Sequence, residues 1–115
     1  MTYNLEKRTK VFAKEIINFC KKLKINLLNS NIISQLLRSS TSVGANYYEA
    51  NAASSKSDFR NKIHICRKEI QETEYWLDLL LEINSDKKEL LDIMREAHEL
   101  TLIFNKISSS LKIVH

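Results

Sequence analysis

The residues best suited to chemistry in this sequence are two glutamates, Glu69 and Glu72, three positions apart. In a helix this spacing places both carboxylates on one face, where they could bind a metal ion or act as an acid–base pair. Di-iron helical bundles, however, also carry a Glu-x-x-His motif on each of two helices. Here Glu96 precedes His98 by two positions, so the two side chains lie on different faces. We therefore expect no metal centre and no cofactor.

Arginines in the helical pattern offer these carboxylates a structural role instead. We expect a buried polar network in which Arg38 or Arg67 pairs with the glutamates. Such a network would specify helix register or partner choice more than it would stabilise the fold. The residues assigned to it are Arg38, Asn46, Glu49, Arg67, Glu69 and Glu72.

The spacing of the histidines does not support nuclease chemistry. Helical ribonucleases of the HEPN type need a longer spacing than the three residues between Arg60 and His64 or the two between Arg95 and His98. The remaining histidine, His115, is isolated in sequence. The chain also has neither a serine in a nucleophile elbow nor a glycine-rich phosphate loop. We expect no enzymatic activity.

Lysines near the N-terminus form the basic surface that the sequence supports best. Residues 1–30 carry seven basic and two acidic groups, whereas the whole chain has a net charge of +4. Four of the lysines step by 3, 4 and 7 positions and share one helical face, and a fifth lies beside it. These five are Lys7, Lys10, Lys14, Lys21 and Lys22. The face either remains solvated or contacts phosphate groups, without base stacking, because no aromatic residue is interleaved with the lysines.

Tyrosines and a glycine mark positions where subunits could meet. Tyr48 and Tyr75 lie off the apolar seams of their helices, and tyrosine is favoured in protein interfaces, so we expect both to make subunit contacts. Tyr47 and Trp76 fit core positions. A glycine inside a helix, here Gly44, costs about 1 kcal/mol relative to alanine and is reasonable where another backbone passes closely. That backbone belongs either to the same bundle or to a second subunit.

The elements that must position these residues are helices. One Gly and no Pro among 115 residues argue against sheet-rich folds, which rely on both in their turns. Apolar residues recur at alternating spacings of 3 and 4 in four segments, which is the pattern of a bundle seam. The predicted helices cover residues 5–23, 31–52, 57–83 and 87–111. We predict one all-α domain, an antiparallel up-down-up-down four-helix bundle.

The predicted links are short and polar. The segment Lys24–Ser30 forms a polar break before Asn31, whose residue type is favoured as a helix N-cap. Ser55 followed by Asp58 matches a capping box in front of the third helix. No apolar run approaches the roughly 18 residues of a transmembrane helix, and no signal peptide is apparent. We expect a cytoplasmic protein without a membrane partner and with two reduced, buried cysteines.

The stretch from Leu36 to Leu81 contains a series of short motifs in a fixed order. They are Arg38-Ser39-Ser40, Ser42-Val43-Gly44-Ala45-Asn46, Glu49-Ala50, Asp58-Phe59, Lys68-Glu69 and Glu72-Thr73-Glu74-Tyr75-Trp76-Leu77. In order and spacing they resemble the bacterial family of four-helix bundle proteins, also called 23S rRNA intervening-sequence proteins. The resemblance extends over nearly the whole chain, with its most specific motifs in the second and third helices.

The resemblance implies a four-helix bundle that assembles into a ring-like homopentamer. Some members of the family are encoded inside insertions within 23S rRNA genes. A similar bundle is the accessory protein of diversity-generating retroelements, where it partners a reverse transcriptase and binds nucleic acid. We therefore expect a non-catalytic, oligomeric structural or adaptor protein that binds RNA or DNA by charge. The alternative is a protein–protein interaction module whose partner is encoded nearby.

Overall fold

A computed structural model describes residues 4–113 of the chain, and most of these residues are helical. The four helices are α1, Leu5–Lys21; α2, Ser30–Asn51; α3, Lys56–Ile83; and α4, Lys88–Ile113. The prediction of an all-α four-helix bundle is confirmed. The bundle is elongated, with principal extents of 47 × 22 × 21 Å. Its long outer faces are the surfaces available for a partner.

The apolar seams predicted from the 3–4 spacing meet along the centre of the bundle. In α3 the seam residues from Ile63 to Leu80 are all closed to solvent. Each helix contributes at least one large, fully buried side chain, among them Phe12, Leu36, Leu77 and Phe104. Burying a side chain of this size contributes about 1.5–3 kcal/mol. Core packing, more than helix propensity, therefore holds the bundle together.

Each helix packs against its neighbour in sequence, and α1 also packs against α4. Between α2 and α3, the Cys66 sulfur lies 3.5 Å from the Val43 carbonyl, and the Thr73 hydroxyl donates to the Ser39 hydroxyl at 2.9 Å. Rising residue numbers in α2 thus meet falling numbers in α3, as an antiparallel pair requires. Within the described part of the chain, every buried side-chain nitrogen or oxygen has a hydrogen-bond partner.

The boundaries of the link between α1 and α2 differ from the predicted ones by one or two residues. Helix α1 ends at Lys21 and α2 begins at Ser30, so Asn31 lies inside α2 and is not its N-cap. Asn29 occupies the cap position, but its side chain accepts a hydrogen bond from the Asn26 backbone N–H at 2.8 Å instead of capping the helix. The contact holds the link in a defined turn.

Helix α3 begins with the predicted capping residue. The Ser55 hydroxyl accepts a hydrogen bond from the Asp58 backbone N–H at 3.0 Å. This satisfies one of the free N–H groups in the first turn. The Asp58 carboxylate also lies in that turn, where the helix dipole favours a negative charge.

Candidate nucleic-acid interface

The outer face of α1 carries four lysines opposite the buried seam. They are Lys7, Lys10, Lys14 and Lys21, which we call the lysine face. All four are exposed, and none forms an ion pair with another residue in the described range. At a rise of 1.5 Å per residue they span about 21 Å along the helix. The face therefore presents a row of cationic groups whose charge is not neutralised by the ion pairs of the fold.

The fifth predicted lysine, Lys22, lies on a different surface. Its ammonium pairs with the Glu89 carboxylate of α4. Arg8 also contacts α4, with Nε 2.7 Å and Nη2 2.8 Å from the two carboxylate oxygens of Glu96. These hydrogen bonds raise the pKa of the Arg8 guanidinium above its ordinary value. Because both cations are paired with carboxylates of α4, their charge is less available to an external polyanion than that of the lysine face.

An open groove of about 380 Å³ lies between α1 and α2, beside the lysine face. Lys10 lines this groove as well as belonging to the lysine face. Tyr48 also lines it, and 67% of that residue's surface is exposed. The α1–α2 groove thus combines an exposed aromatic ring with a lysine that has no ion pair among the described residues. No aromatic residue is interleaved with the lysines in the sequence, because this tyrosine comes from another helix.

Gly44 lies in the wall of the α1–α2 groove and explains how closely the two helices approach. A Cβ atom at this position would lie 3.1 Å from Thr9 Oγ1 and 3.3 Å from Thr9 Cβ. The Thr9 hydroxyl is held by a hydrogen bond of 2.6 Å that it donates to the Leu5 carbonyl. The close neighbour of Gly44 is therefore α1 of the same chain, and a contact with a second subunit is not needed to explain the glycine.

A second polar cluster joins α2 to α3. Arg38 Nη1 donates to both carboxylate oxygens of Glu69 at 3.2 Å, and Nη2 donates to Glu72. Glu72 also accepts a hydrogen bond from the Trp76 indole N–H at 3.0 Å. The bonds to Glu69 and Glu72 raise the pKa of Arg38, while those from Trp76 and Arg38 lower the pKa of Glu72. The two carboxylates considered for acid–base chemistry are thus paired with a guanidinium.

The predicted polar network is not one cluster, and it is not buried. The Arg38 side chain is 44% exposed. Glu49 lies eleven positions from Arg38 along α2, about 16 Å, which is too far for a shared contact. The other predicted members make separate contacts: Glu49 with Lys62 at 2.6 Å, Arg67 with Asn105 at 2.9 Å, and Asn46 with the Ser42 carbonyl at 2.8 Å.

Histidine and carboxylate groups meet at one place on the surface. His98 Nδ1 lies 3.1 Å from one carboxylate oxygen of Glu74, and the Thr101 hydroxyl donates to the other at 2.6 Å. His64 is exposed, and His115 lies outside the described residues. Among residues 4–113, no three His, Cys, Asp or Glu side chains are grouped as metal ligands would be. The His98 contact is a surface pair between α3 and α4.

Residues 2–106 match the family model described as 23S rRNA-intervening sequence protein. The chain belongs to this family. Among solved structures, it is similar to a protein of unknown function from the S23 ribosomal protein family of Bacteroides thetaiotaomicron. The two sequences are 35% identical, the match covers 90% of this chain and 96% of that one, and the TM-score is 0.77. No curated protein matches the chain.

Membership of the 23S rRNA-intervening sequence protein family confirms the resemblance seen in the motifs of α2 and α3. Arg38, Glu69, Glu72 and Trp76, which form the second polar cluster, all lie in those motifs. The Bacteroides relative has no known function. The relative therefore assigns no role to the lysine face of this family member. Within residues 4–113, no helix has the length and apolar character needed to cross a membrane.

The aromatic residues of this family member separate into packed and exposed groups. Tyr47 and Trp76 are half-buried against the core, and the ring of Tyr47 meets Phe104 edge-on at 5.9 Å. Tyr75 is 58% exposed, and its ring meets Trp76 edge-on at 5.0 Å. The indole N–H of Trp76 is held by Glu72 in the cluster with Arg38, and the Tyr75 ring packs against that indole. Tyr75 remains a proposed subunit contact.

The link between α1 and α2, which was predicted to be a polar break, exposes three aliphatic side chains. Ile25, Leu27 and Leu28, which we call the aliphatic loop, are 58%, 95% and 70% exposed. The Asn26 side chain accepts hydrogen bonds of 2.9 Å from the backbone N–H groups of Leu28 and Asn29. The loop therefore has a defined turn and presents an apolar cluster to solvent, a feature typical of interaction surfaces.

Proposed function

We propose that this protein is a non-catalytic, oligomeric structural protein that binds RNA or DNA through the lysine face of α1. The observation that carries the proposal is that four exposed lysines without an ion pair among the described residues share one face of α1. Arg8, Lys22, Arg38 and Lys62 are all paired with carboxylates of the same chain. The lysines of the lysine face have no such partner among the described residues, so their charge is available to an external polyanion.

A nucleic-acid backbone has the chemistry that such a row of lysines recognises. Each lysine is a flexible point charge that can approach a phosphate without a fixed geometry. Binding releases counterions from the nucleic acid, and this supplies affinity that does not depend on base sequence. We therefore expect binding that is strong at low salt, weak at high salt and indifferent to sequence.

Assembly would strengthen weak contacts made by a single lysine face. The family resemblance implies a ring-like homopentamer, and every subunit of such a ring would carry its own copy of the face. Contacts made by several copies on one strand raise the overall affinity through effective concentration. Tyr75 and the aliphatic loop offer exposed apolar surface for subunit contacts.

The proposal is tested with two variants of equal net charge. In the first, Lys10, Lys14 and Lys21 are changed to Gln, which removes most of the lysine face. In the control, Lys56, Lys88 and Lys106 are changed to Gln; all three are exposed and lie outside α1. Binding of a fluorescent RNA of arbitrary sequence is measured by anisotropy at low salt. We expect the first variant to bind at least about tenfold more weakly and the control to bind like wild type. Equal binding by both variants would contradict the proposal.

A protein–protein interaction module is the second candidate function, and the aliphatic loop favours it. Three exposed aliphatic side chains within four positions would suit an apolar pocket on a partner protein. If the wild-type protein does not bind RNA at low salt, and a co-purifying protein is lost when Leu27 and Leu28 are changed to Ser, this second function replaces the first.

A further inference from the structure

We propose that the α1–α2 groove binds a nucleobase, so that the nucleic acid recognised by this protein is single-stranded. The inference rests on the proposed function, because the phosphates of the same strand would contact the lysine face. It adds a binding site for the base and a class of ligand. It also gives Tyr48 a role different from the subunit contact expected from the sequence.

The shape of the α1–α2 groove suits a flat ring. Its volume of about 380 Å³ lies within the range of small-ligand pockets. Short side chains line it from both helices, including Ala13 of α1 and Thr41 and Ala45 of α2. Tyr48 is the aromatic residue among the lining residues, and two-thirds of its surface is open to solvent. The short neighbours leave space beside the tyrosine ring that a second ring can occupy.

The groove is lined by two glutamates and one lysine, so the charge of its lining is mixed. Glu49 lines the groove but is paired with Lys62 at 2.6 Å. Glu6 also lines it, and its carboxylate accepts a hydrogen bond from the Asn51 amide at 2.9 Å. Lys10 is the lining cation, and it is the residue that the groove shares with the lysine face. A strand that follows the lysine face therefore passes the groove and can place a base there.

A single strand can contact the lysine face and the groove at once without the cost of unstacking that a duplex requires. In a duplex the faces of the bases are covered by their neighbours in the stack, and extruding one requires unstacking. In a single strand the bases are free to stack on aromatic side chains, and such stacking tolerates any base sequence. The groove thus adds affinity for single strands while leaving recognition indifferent to sequence.

The test compares three labelled probes of equal length: an oligothymidylate, the same sugar–phosphate strand without bases, and a duplex. Wild-type protein is expected to bind the oligothymidylate about tenfold more tightly than the abasic strand. Tyr48→Leu keeps bulk but loses the aromatic face, so it should bind both strands equally. Tyr48→Phe should behave like wild type. Ala45→Met fills the groove without changing charge, and it should reproduce the loss seen with Tyr48→Leu.

The outcomes separate this inference from the proposed function. If Tyr48→Leu and wild type both bind the oligothymidylate and the abasic strand equally, while the lysine variant binds both at least about tenfold more weakly, the groove proposal is overturned and the proposed function survives. If the wild-type protein binds none of the probes, both are overturned. If Tyr48→Leu changes the particle mass in light scattering and leaves oligothymidylate affinity unchanged, Tyr48 is a subunit contact and the groove proposal is overturned. A single-strand preference that depends on the Tyr48 ring supports it.

Discussion

Gly44 of α2 and Thr9 of α1 are so close that a Cβ atom on the glycine would lie 3.1 Å from Thr9 Oγ1. Thr9 is buried, β-branched and hydrogen-bonded to the Leu5 carbonyl, so it has little freedom to move aside. The contact determines how closely α1 approaches α2 and thereby shapes the groove beside the lysine face. The close packing of α2 against α1 within one chain explains why a glycine lies in the middle of a helix.

Gly44→Ala should destabilise the protein although alanine is the better helix former. The expected loss in the free energy of unfolding is about 1 kcal/mol, because overpacking outweighs the gain in propensity. Thr9→Ala removes the nearest atom, so Gly44→Ala should cost less in that background, with a coupling of about 1 kcal/mol in the double-mutant cycle. Urea unfolding of the four proteins measures the cycle. Strictly additive changes in the free energy of unfolding would show that the two residues do not interact.

Acid should weaken the fold partly through Glu72. Hydrogen bonds from Trp76 and Arg38 hold the pKa of Glu72 below its ordinary value of 4.5. Because the folded pKa is lower than the unfolded one, the contribution of Glu72 to stability is present above about pH 4.5 and is lost as the pH falls through the folded pKa. Glu72→Gln should therefore flatten the fall in the free energy of unfolding on the acid side. Glu82→Gln, at an exposed position of α3, is the matched control and should retain the wild-type pH dependence.

Both cysteines should be unreactive in the folded protein. Cys20 and Cys66 are buried and unpaired, and burial raises their thiol pKa to about 11 and about 12. The reactive thiolate is therefore scarce at neutral pH. A thiol reagent such as a disulfide dye should label the native protein slowly, and both cysteines should react at once in urea. Cys20, with 8% of its surface exposed against 0% for Cys66, should react first in the native state. Rapid labelling of two thiols without denaturant would contradict this account.

Assembly should depend on Tyr75. Light scattering of the wild-type protein is expected to give the mass of about five chains, as the proposed closed ring requires. Tyr75→Glu should lower that mass and leave the helical circular dichroism unchanged, because a charge buried at a subunit contact has no partner. Tyr75→Phe, which keeps the ring, should assemble like wild type. A monomeric wild-type protein at micromolar concentration would overturn the assembly proposal.

The sequence predicted most of what lies within single helices. Every interior position of the α3 seam, from Ile63 to Leu80, is buried as its 3–4 spacing indicated. The lysine face likewise follows from the helical period alone, because the angle between residues on one helix is constant. The spacing of residues therefore predicts which side of a single helix is buried and which side is exposed.

The sequence did not predict relationships between helices. Lys22 was predicted to contact phosphate beside the lysine face, but it pairs with Glu89, which is 67 positions away and is brought close only by the packing of α1 on α4. Tyr48 beside Lys10 depends in the same way on how α1 meets α2. The aliphatic loop was missed for a different reason. Three apolar residues in a short link show neither a helical nor a strand period, so periodicity does not detect them. Three aliphatic residues within four positions of a link without glycine could nevertheless have indicated an apolar surface.

The dependence of RNA affinity on salt tests the central claim, phosphate binding by the lysine face, most directly. For a single strand the slope of log K against log salt is about −0.7 for each phosphate neutralised. Wild-type affinity should therefore fall by about tenfold or more between roughly 50 and 200 mM salt. The variant with Lys10, Lys14 and Lys21 changed to Gln should show a slope shallower by about 2, and the charge-matched control should retain the wild-type slope. Equal slopes in all three proteins would show that the lysine face does not contact the phosphates.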